Sequence, residues 1–574
     1  MANVAQAVAA RLRAWGVDRV YGVPGLEVTA LLGALDGDPG APESVQARGA
    51  ESAALMACAH AKLTGRPGCC LAPGGADTLR LLGGLYDAAA DRAPVLALVG
   101  RRARPRGVEG RVTRPLAEVS VFCEEVSGPE LTADALDRAV RAAVLDRGVA
   151  SLVLPEHVLR APAPAGPPGP DGTVPAPVRR PDEEHLRRAA RALGAARRPA
   201  VVVGGAGRAA AGRVAEVAGL LGAGVALTAL ARDALPDDLP YLTGVAGRYG
   251  SEAATALLRE CDALLLVGAE DLDPAVLPAA GRSRIVTVDP EPDDCPLDRG
   301  VPAVRMTGDV VAALDALLPL LPRTAGRSRR ARVERGVRAW RAEGRTRANR
   351  YFGTSVNPRS VVAELSARLP DRAVVVTDSG TSLDWWTRHL VLRDGMRSLV
   401  SGHLGVPGAA VPYAIAARFA APDRPVIALV GDGALQGGGL NELITVRRHP
   451  DRLAGPHPLV FCVFGNGDLN RLTWQRRVAA GDPLIPPSAE VPALPYAEWA
   501  RLAGLPAVRC DRPRHVASVW ADVLAGRGPV LLEFVVDGEI PPDWAAGVGA
   551  AGGAGTSRPA ALPAPLAKLL RVPG

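Results

Sequence analysis

Short, fully apolar runs alternate with longer stretches of helical periodicity along most of the chain. From Val4 to about Arg160 the apolar runs are Val20–Val23, Gly68–Leu71, Val95–Val99 and Ala150–Leu154. Runs of this length, separated by helices, predict parallel strands buried on both faces. The pattern returns at Ala200–Gly204, Ala263–Gly268 and Ile285–Asp289, and again from Asn357 at Ala373–Thr377, Val426–Val430, Leu459–Phe464 and Val530–Val536. The expected fold class is therefore α/β, with three doubly wound parallel-sheet domains at 1–160, 182–322 and 357–545. Segment 161–181, APAPAGPPGPDGTVPAPVRRP, is too proline-rich for a helix or a central strand and is expected to be an extended linker. The polar, Arg-rich stretch 323–356 is expected to be a second linker, and 546–574 a poorly packed tail.

A length of 574 residues agrees with about three domains. The net charge of +7 comes mostly from scattered arginines, and no basic stripe is interleaved with aromatics, which argues against nucleic-acid binding. The densest basic patch, Arg327–Val333, falls in the second linker and is expected to be solvated. The eight cysteines form no CxxC pair and are expected to be reduced core residues. The N-terminus is an amphipathic helix without a signal-peptide core, and no apolar run reaches membrane-spanning length, so a cytoplasmic protein is expected.

The segment most informative about chemistry is VIALVGDGALQGGGLNELITV…PLVFCVFGNGDLN, from Val426 to Asn470. One apolar strand ends in Gly431-Asp432-Gly433 and the next in Gly465-Asn466-Gly467-Asp468, so both polar clusters emerge at strand C-termini, where open parallel sheets bind ligands. The Asp432 carboxylate, the Asn466 amide oxygen and the backbone carbonyl of Asp468 form an all-oxygen set suited to Mg²⁺. The glycines allow close approach of a phosphate, and a helix N-terminus offers free N–H groups to it. A lone Gly-Asp-Gly is also an ordinary strand-to-helix turn.

In context the segment resembles the GDG…NN signature of thiamine-diphosphate enzymes, with Arg447–Pro458 as a surface insertion before the second strand. Three further stretches resemble the same family: VYGVPG with ARGAESAALMACAHAKLTG near the N-terminus, GDVVAALDALLPLL in the middle, and SLVSGHLGVPGAAVPYAIAARF before the diphosphate motif. DLNRLTWQRRVAAGDP resembles the pyruvate oxidase-like subgroup rather than acetolactate synthase proper. The resemblance implies a pyrimidine-binding, a central and a diphosphate-binding domain, thiamine diphosphate with Mg²⁺, a 2-oxo acid substrate, and a homodimer or homotetramer with sites at subunit interfaces. It also implies cofactor contacts at Gly380, Thr381, Gly405, Pro407, Gly431, Asp432, Gly433, Ala434, Asn466, Asp468 and Leu469. Central domains of this subgroup often hold FAD, for which Gly204-Gly205-Ala206-Gly207 and Asp289 are candidate contacts; a Gly-rich turn is equally compatible with ordinary packing.

The sequence departs from the family at three places. The family's activating Glu at the cofactor pyrimidine aligns with Ala50 in Arg48-Gly49-Ala50-Glu51, and only a one-residue shift would bring Glu51 there. Pro407 stands where the family has a large apolar wedge whose backbone N–H meets the pyrimidine, and proline has no N–H. Two family loops carry new carboxylates, Glu27 and Asp77, which are either acid–base groups or solvated loop residues. His403 beside the wedge loop is a further acid–base candidate, and His60 is expected to be a plain helix residue. Gln475 is expected to line the pocket, and Trp474 is either pocket or core. Two readings stay open: an enzyme that decarboxylates a 2-oxo acid and passes the product to an acceptor or to flavin, or a repurposed homologue that keeps the fold and binds a ligand.

Overall fold

The computed structural model describes residues 2–102, 114–164, 174, 178–279, 281–292, 296–297, 302–322, 327–480 and 487–545. Most of the proline-rich segment and all of 546–574 lie outside the described residues. Three six-stranded sheets follow one another along the chain, and every pairing within them is parallel.

The first sheet contains β1 (Arg19–Gly22), β2 (Glu43–Gln46), β3 (Gly68–Ala72), β4 (Val95–Arg101), β5 (Ser120–Glu125) and β6 (Val149–Pro155), in the order β2-β1-β3-β4-β6-β5. The second contains β7 (Pro199–Val203), β8 (Gly224–Leu227), β9 (Leu242–Val245), β10 (Ala263–Val267), β11 (Arg284–Asp289) and β12 (Ala303–Thr307), ordered β12-β11-β10-β7-β8-β9. The third contains β13 (Val374–Thr377), β14 (Arg397–Val400), β15 (Val426–Gly431), β16 (Pro458–Gly465), β17 (Ala507–Cys510) and β18 (Gly528–Val535), ordered β14-β13-β15-β16-β18-β17. The first and third sheets thus share one topology.

Each predicted strand is a central one, buried along its length except for the half-buried Val530 and Val535 of β18, whereas six strands that the hydrophobic pattern did not announce lie at sheet edges. An edge strand such as β2 (ESVQ) or β5 (SVFCEE) keeps polar positions, because one side is not covered by a neighbour. The four-residue β8 was also missed, although it is buried, because GVAL is too short to stand out from its Ala-Gly surroundings.

The expected second linker is corrected in one respect: it contains a helix, Arg327–Ala348. Arg, Ala and Glu are good helix formers. The helix docks rather than floats, with Val337 buried, the Arg330 guanidinium 3.9 Å from the centre of the Tyr241 ring, and Arg341 donating to the Leu239 carbonyl at 3.0 Å. The insertion Arg447–Pro458 likewise carries a short helix, Pro450–Ala454, anchored by the buried Leu453.

Helix Ala50–Thr64 of the first domain and helix Ala410–Ala420 of the third are buried in one shared apolar core. This packing joins the first and third domains. No helix among the described residues is long and apolar enough to cross a membrane.

Candidate active site

Four loops leave the C-terminal edge of the third sheet side by side, after β13, β14, β15 and β16. The chain reverses direction across the sheet between β13 and β15, which is where doubly wound sheets open a ligand crevice. Gly431 pairs with Phe464 at the last rung of the β15–β16 ladder, so Asp432 and Asn466 emerge next to each other.

Asp432 is buried, and its carboxylate accepts backbone N–H bonds from Gly433 (2.8 Å), Asn466 (2.8 Å) and Gly467 (2.7 Å). Burial raises its pKa, while the three N–H donors and a nearby Asp468 act as smaller influences of opposite signs. Gly467 has φ +69°, a conformation that turns two successive N–H groups toward Asp432 and that a side chain would strain. The Asn466 amide oxygen accepts the Asp468 N–H at 3.0 Å. The Asp468 carboxylate is occupied within its own helix start, accepting from Asn470 Nδ2 (3.0 Å) and Thr473 Oγ1 (2.7 Å).

The donor chemistry fits Mg²⁺: one carboxylate, one amide oxygen and one backbone carbonyl, all hard oxygens, with room in the coordination sphere for phosphate. No group of three His, Cys, Asp or Glu side chains suited to a metal occurs among the described residues, so a softer, His- or Cys-rich centre is not assembled there. Leu469, partly exposed, lies over Gly433, where an added Cβ would meet its Cδ2 at 2.6 Å. Ala434 continues the first turn after Asp432, and Gly380, at φ +87°, opens helix Thr381–His389 beside it.

The Pro407 loop is held by a residue that the sequence reading did not single out. Asp378, at the end of β13, accepts N–H bonds from Gly408 (2.9 Å) and Ala410 (3.0 Å). It is fully enclosed, and burial pushes its pKa up to about 6. Gly405 and Gly408 both have positive φ, and a Cβ on Gly408 would lie 2.7 Å from the Gly438 backbone in the turn that follows Asp432. The Pro407 loop and the turn after Asp432 therefore touch through glycines.

Glu442, also unannounced, joins this edge to the first domain. Its buried carboxylate accepts the N–H groups of Arg48 (3.0 Å) and Gly49 (3.2 Å), immediately before Ala50. Ala50 itself is fully buried, whereas Glu51 is exposed and its carboxylate lies against Gly83 of helix Ala76–Ala90, where an added Cβ would meet Oε1 at 2.1 Å. Partial burial, and then the neighbouring Asp87, raise the Glu51 pKa above the ordinary carboxylate range.

The remaining candidates are spread more widely. Glu27 is buried and paired with Arg102 at 2.8 Å, and Asp77 is partnered by Arg80 at 3.5 Å on the same helix. His403 is drawn to the junction with the central domain: its Nδ1 lies 3.1 Å from Asp91 Oδ1 and its Nε2 3.4 Å from the Glu270 carbonyl. Gln475 donates to the Tyr249 hydroxyl of the central domain, and Trp474 is buried with its indole N–H on the Gly538 carbonyl at 3.1 Å. His60 is a buried helix residue, 3.1 Å from the Tyr21 hydroxyl.

Comparison with known proteins agrees with the division into three sheets. Residues 2–115 match the N-terminal TPP binding domain of thiamine pyrophosphate enzymes, 186–317 their central domain, and 378–534 their C-terminal TPP binding domain. A Bacillus subtilis (strain 168) protein described as thiamine pyrophosphate-containing, YdaP, is 28% identical over 93% of this chain and 92% of its own length. An acetolactate synthase of Mycobacterium bovis is 29% identical over 95% of this chain and 90% of its own. A pyruvate oxidase of Lactiplantibacillus plantarum is 26% identical over 92% and 88%. With all three domain models matched in order over the same three sheets, the chain belongs to the thiamine pyrophosphate enzyme family.

Proposed function

We propose that the protein binds thiamine diphosphate with Mg²⁺ and decarboxylates a 2-oxo acid, joining the remaining acyl unit to the carbonyl carbon of an acceptor. The observation that carries this reading is the adjacency of Asp432 and Asn466 at the switch point of the third sheet, with an all-oxygen donor set. Relatives named acetolactate synthase and pyruvate oxidase support the substrate class.

When bound, thiamine diphosphate supplies the electron sink that lets a 2-oxo acid lose CO₂. The chain's own part is to hold and shield. Asp432, Asn466 and the Asp468 carbonyl would hold the metal, and backbone groups at Gly431, Gly433 and Ala434 would meet the diphosphate. Gly380 and Thr381 offer a helix N-terminus on the opposite side of the crevice. Gly405 and Pro407, held by Asp378, would support the ring system, and Leu469 would keep water from it. Glu51 is the proposed proton carrier in place of the missing carboxylate at position 50, acting across the interface of a homodimer or homotetramer. Glu27, Asp77, His403 and Gln475 are each tied to a partner residue and are secondary candidates.

The test is an assay of purified protein with thiamine diphosphate, Mg²⁺ and pyruvate, with CO₂ and coupled hydroxyketone products measured together. CO₂ release with stoichiometric coupled product supports the reading. Cofactor binding without turnover of any 2-oxo acid in a panel would instead favour the repurposed homologue.

A further inference from the structure

The central domain matches the central-domain model of thiamine pyrophosphate enzymes, and its Gly204-Gly205-Ala206-Gly207 turn is the Gly-rich strand-to-helix turn that a dinucleotide's phosphates would approach. That turn follows β7 at the switch point of the second sheet, between β7 and β10. A phosphate bound there would compete for the Gly205 and Ala206 N–H donors. Here they are taken by carboxylates of the same chain: Gly205 donates to Asp271 Oδ1 at 3.1 Å and Ala206 to Glu270 Oε1 at 3.1 Å. Asp271 Oδ2 accepts the Leu230 N–H at 3.3 Å, from the loop after β8.

The glycines have an internal explanation as well. A Cβ on Gly204 would lie 2.3 Å from the Ala269 Cα, and one on Gly207 would lie 2.1 Å from the Val267 carbonyl oxygen. Both residues are small because the turn is pressed against the end of β10, not because a ligand passes over them. Gly268, at φ +51°, completes the same contact from the other side. Asp289, the other candidate contact, is 1% exposed.

Around the closed turn the three domains meet. Glu270 is paired with Arg147 of the first domain at 3.0 Å, and its carbonyl faces His403 of the third. His403 in turn meets Asp91, which is held by the half-buried Lys62 at 2.5 Å, and Lys62 also donates to the Tyr413 hydroxyl at 2.8 Å. The cleft beside the turn, lined by Lys62, Arg147, Gly205, Leu230, Glu270 and Arg397, has a volume of about 370 Å³. That is at the low end of the roughly 300–1,000 Å³ of sites for drug-sized molecules.

We infer that the central domain takes no flavin, and that Glu270 and Asp271 occupy the phosphate-binding turn and turn it into the clasp that joins the three domains. A diphosphate would have to displace two carboxylates from their donors and then sit beside their charges. One consequence rests on the proposed function: the acyl unit leaves by carbon–carbon bond formation or protonation, with no electron relay through bound flavin.

The test uses the full-length protein. Its visible spectrum after purification, and calorimetric titration with FAD, are read beside a titration with thiamine diphosphate and Mg²⁺ on the same sample. The expected result is no flavin band and no heat with FAD. Stoichiometric flavin, copurified or added, overturns the inference whatever the thiamine diphosphate titration shows, so the two readings fail separately. Asp271→Ala, which removes the acceptor of Gly205 and Leu230, is expected to lower the melting temperature by several degrees and still leave FAD unbound. An unchanged melting temperature, or flavin uptake by the wild type, contradicts the clasp.

Discussion

The carboxylate of Glu442 accepts the backbone N–H of Gly49 at 3.2 Å, so a residue ten positions after Asp432 holds the turn from which the helix beginning at Ala50 starts. The same oxygen accepts Arg48 N–H, and the other accepts the Thr445 hydroxyl at 2.7 Å. Two domains nearly 400 residues apart in sequence are thereby set in register at the site. Glu442→Ala leaves the buried Thr445 hydroxyl and the partly buried Arg48 and Gly49 N–H groups without their acceptor and is expected to cost about 1–3 kcal/mol. Urea unfolding checks this, and Glu442→Gln, which keeps one oxygen acceptor, is expected to lose less.

The two wedge-loop glycines should respond differently to the same substitution. Gly405→Ala meets only a 3.9 Å contact and suffers the left-handed backbone penalty, about 1–2 kcal/mol. Gly408→Ala adds a clash with the Gly438 backbone at 2.7 Å, so it must displace the loop from Asp378. Gly408→Ala is expected to weaken thiamine diphosphate binding at least tenfold and Gly405→Ala by much less. Equal affinities would show that the loop contact does not shape the site.

Glu51 and Ala50 offer a second contrast. The Glu51 carboxyl is held above the ordinary range by partial burial and by Asp87, and it must be ionised to accept a proton. Activity should therefore fall as pH drops through that raised value, and Glu51→Gln should abolish both the limb and most of the rate. A Glu51→Gln enzyme with an unaltered pH profile assigns the proton step to another group. Ala50→Glu inserts a carboxylate at a fully buried position and is expected to destabilise the free protein by about 1–3 kcal/mol, read as a lower melting temperature.

The three-domain clasp should also carry a pH signature. Burial, and then Asp271, push the Glu270 pKa from 4.5 to about 7, against the lowering effect of Arg147. An acid with a raised folded pKa adds stability that is complete below its ordinary pKa and is lost as pH rises through the folded value. Thermal stability is thus expected to decline between pH 4.5 and about 7, and Glu270→Gln to flatten that decline. A decline of the same slope in the variant would assign it to other groups.

Much of this architecture is legible in the sequence because buried parallel strands are apolar at every position. Val426–Val430 and Leu459–Phe464 announce themselves, and with them the Asp432 and Asn466 that follow. The edge strands and the Arg327–Ala348 helix are hidden for the opposite reason: β2 keeps polar residues at an uncovered side, and an Arg-rich helix that docks through Val337 and a few guanidinium groups looks like a linker. Asp378, Glu442 and the Lys62–Asp91–His403 cluster were not legible as structure. Their partners lie tens to hundreds of residues away, and nothing in local spacing distinguishes a buried carboxylate that caps another domain from a solvated one. Gly204–Gly207 carries the plainest lesson, since the same glycines serve a phosphate or a close backbone contact, and only the positions of Glu270 and Asp271 separate the two.

The most direct measurement is calorimetric titration of the wild type and of Asp432→Ala with thiamine diphosphate in the presence of Mg²⁺. The Asp432–Asn466 account predicts saturable, Mg²⁺-dependent binding to the wild type and a loss of at least a hundredfold in the variant, with the fold retained by circular dichroism. Absence of binding to the wild type, or equal affinity in a folded Asp432→Ala, would contradict it.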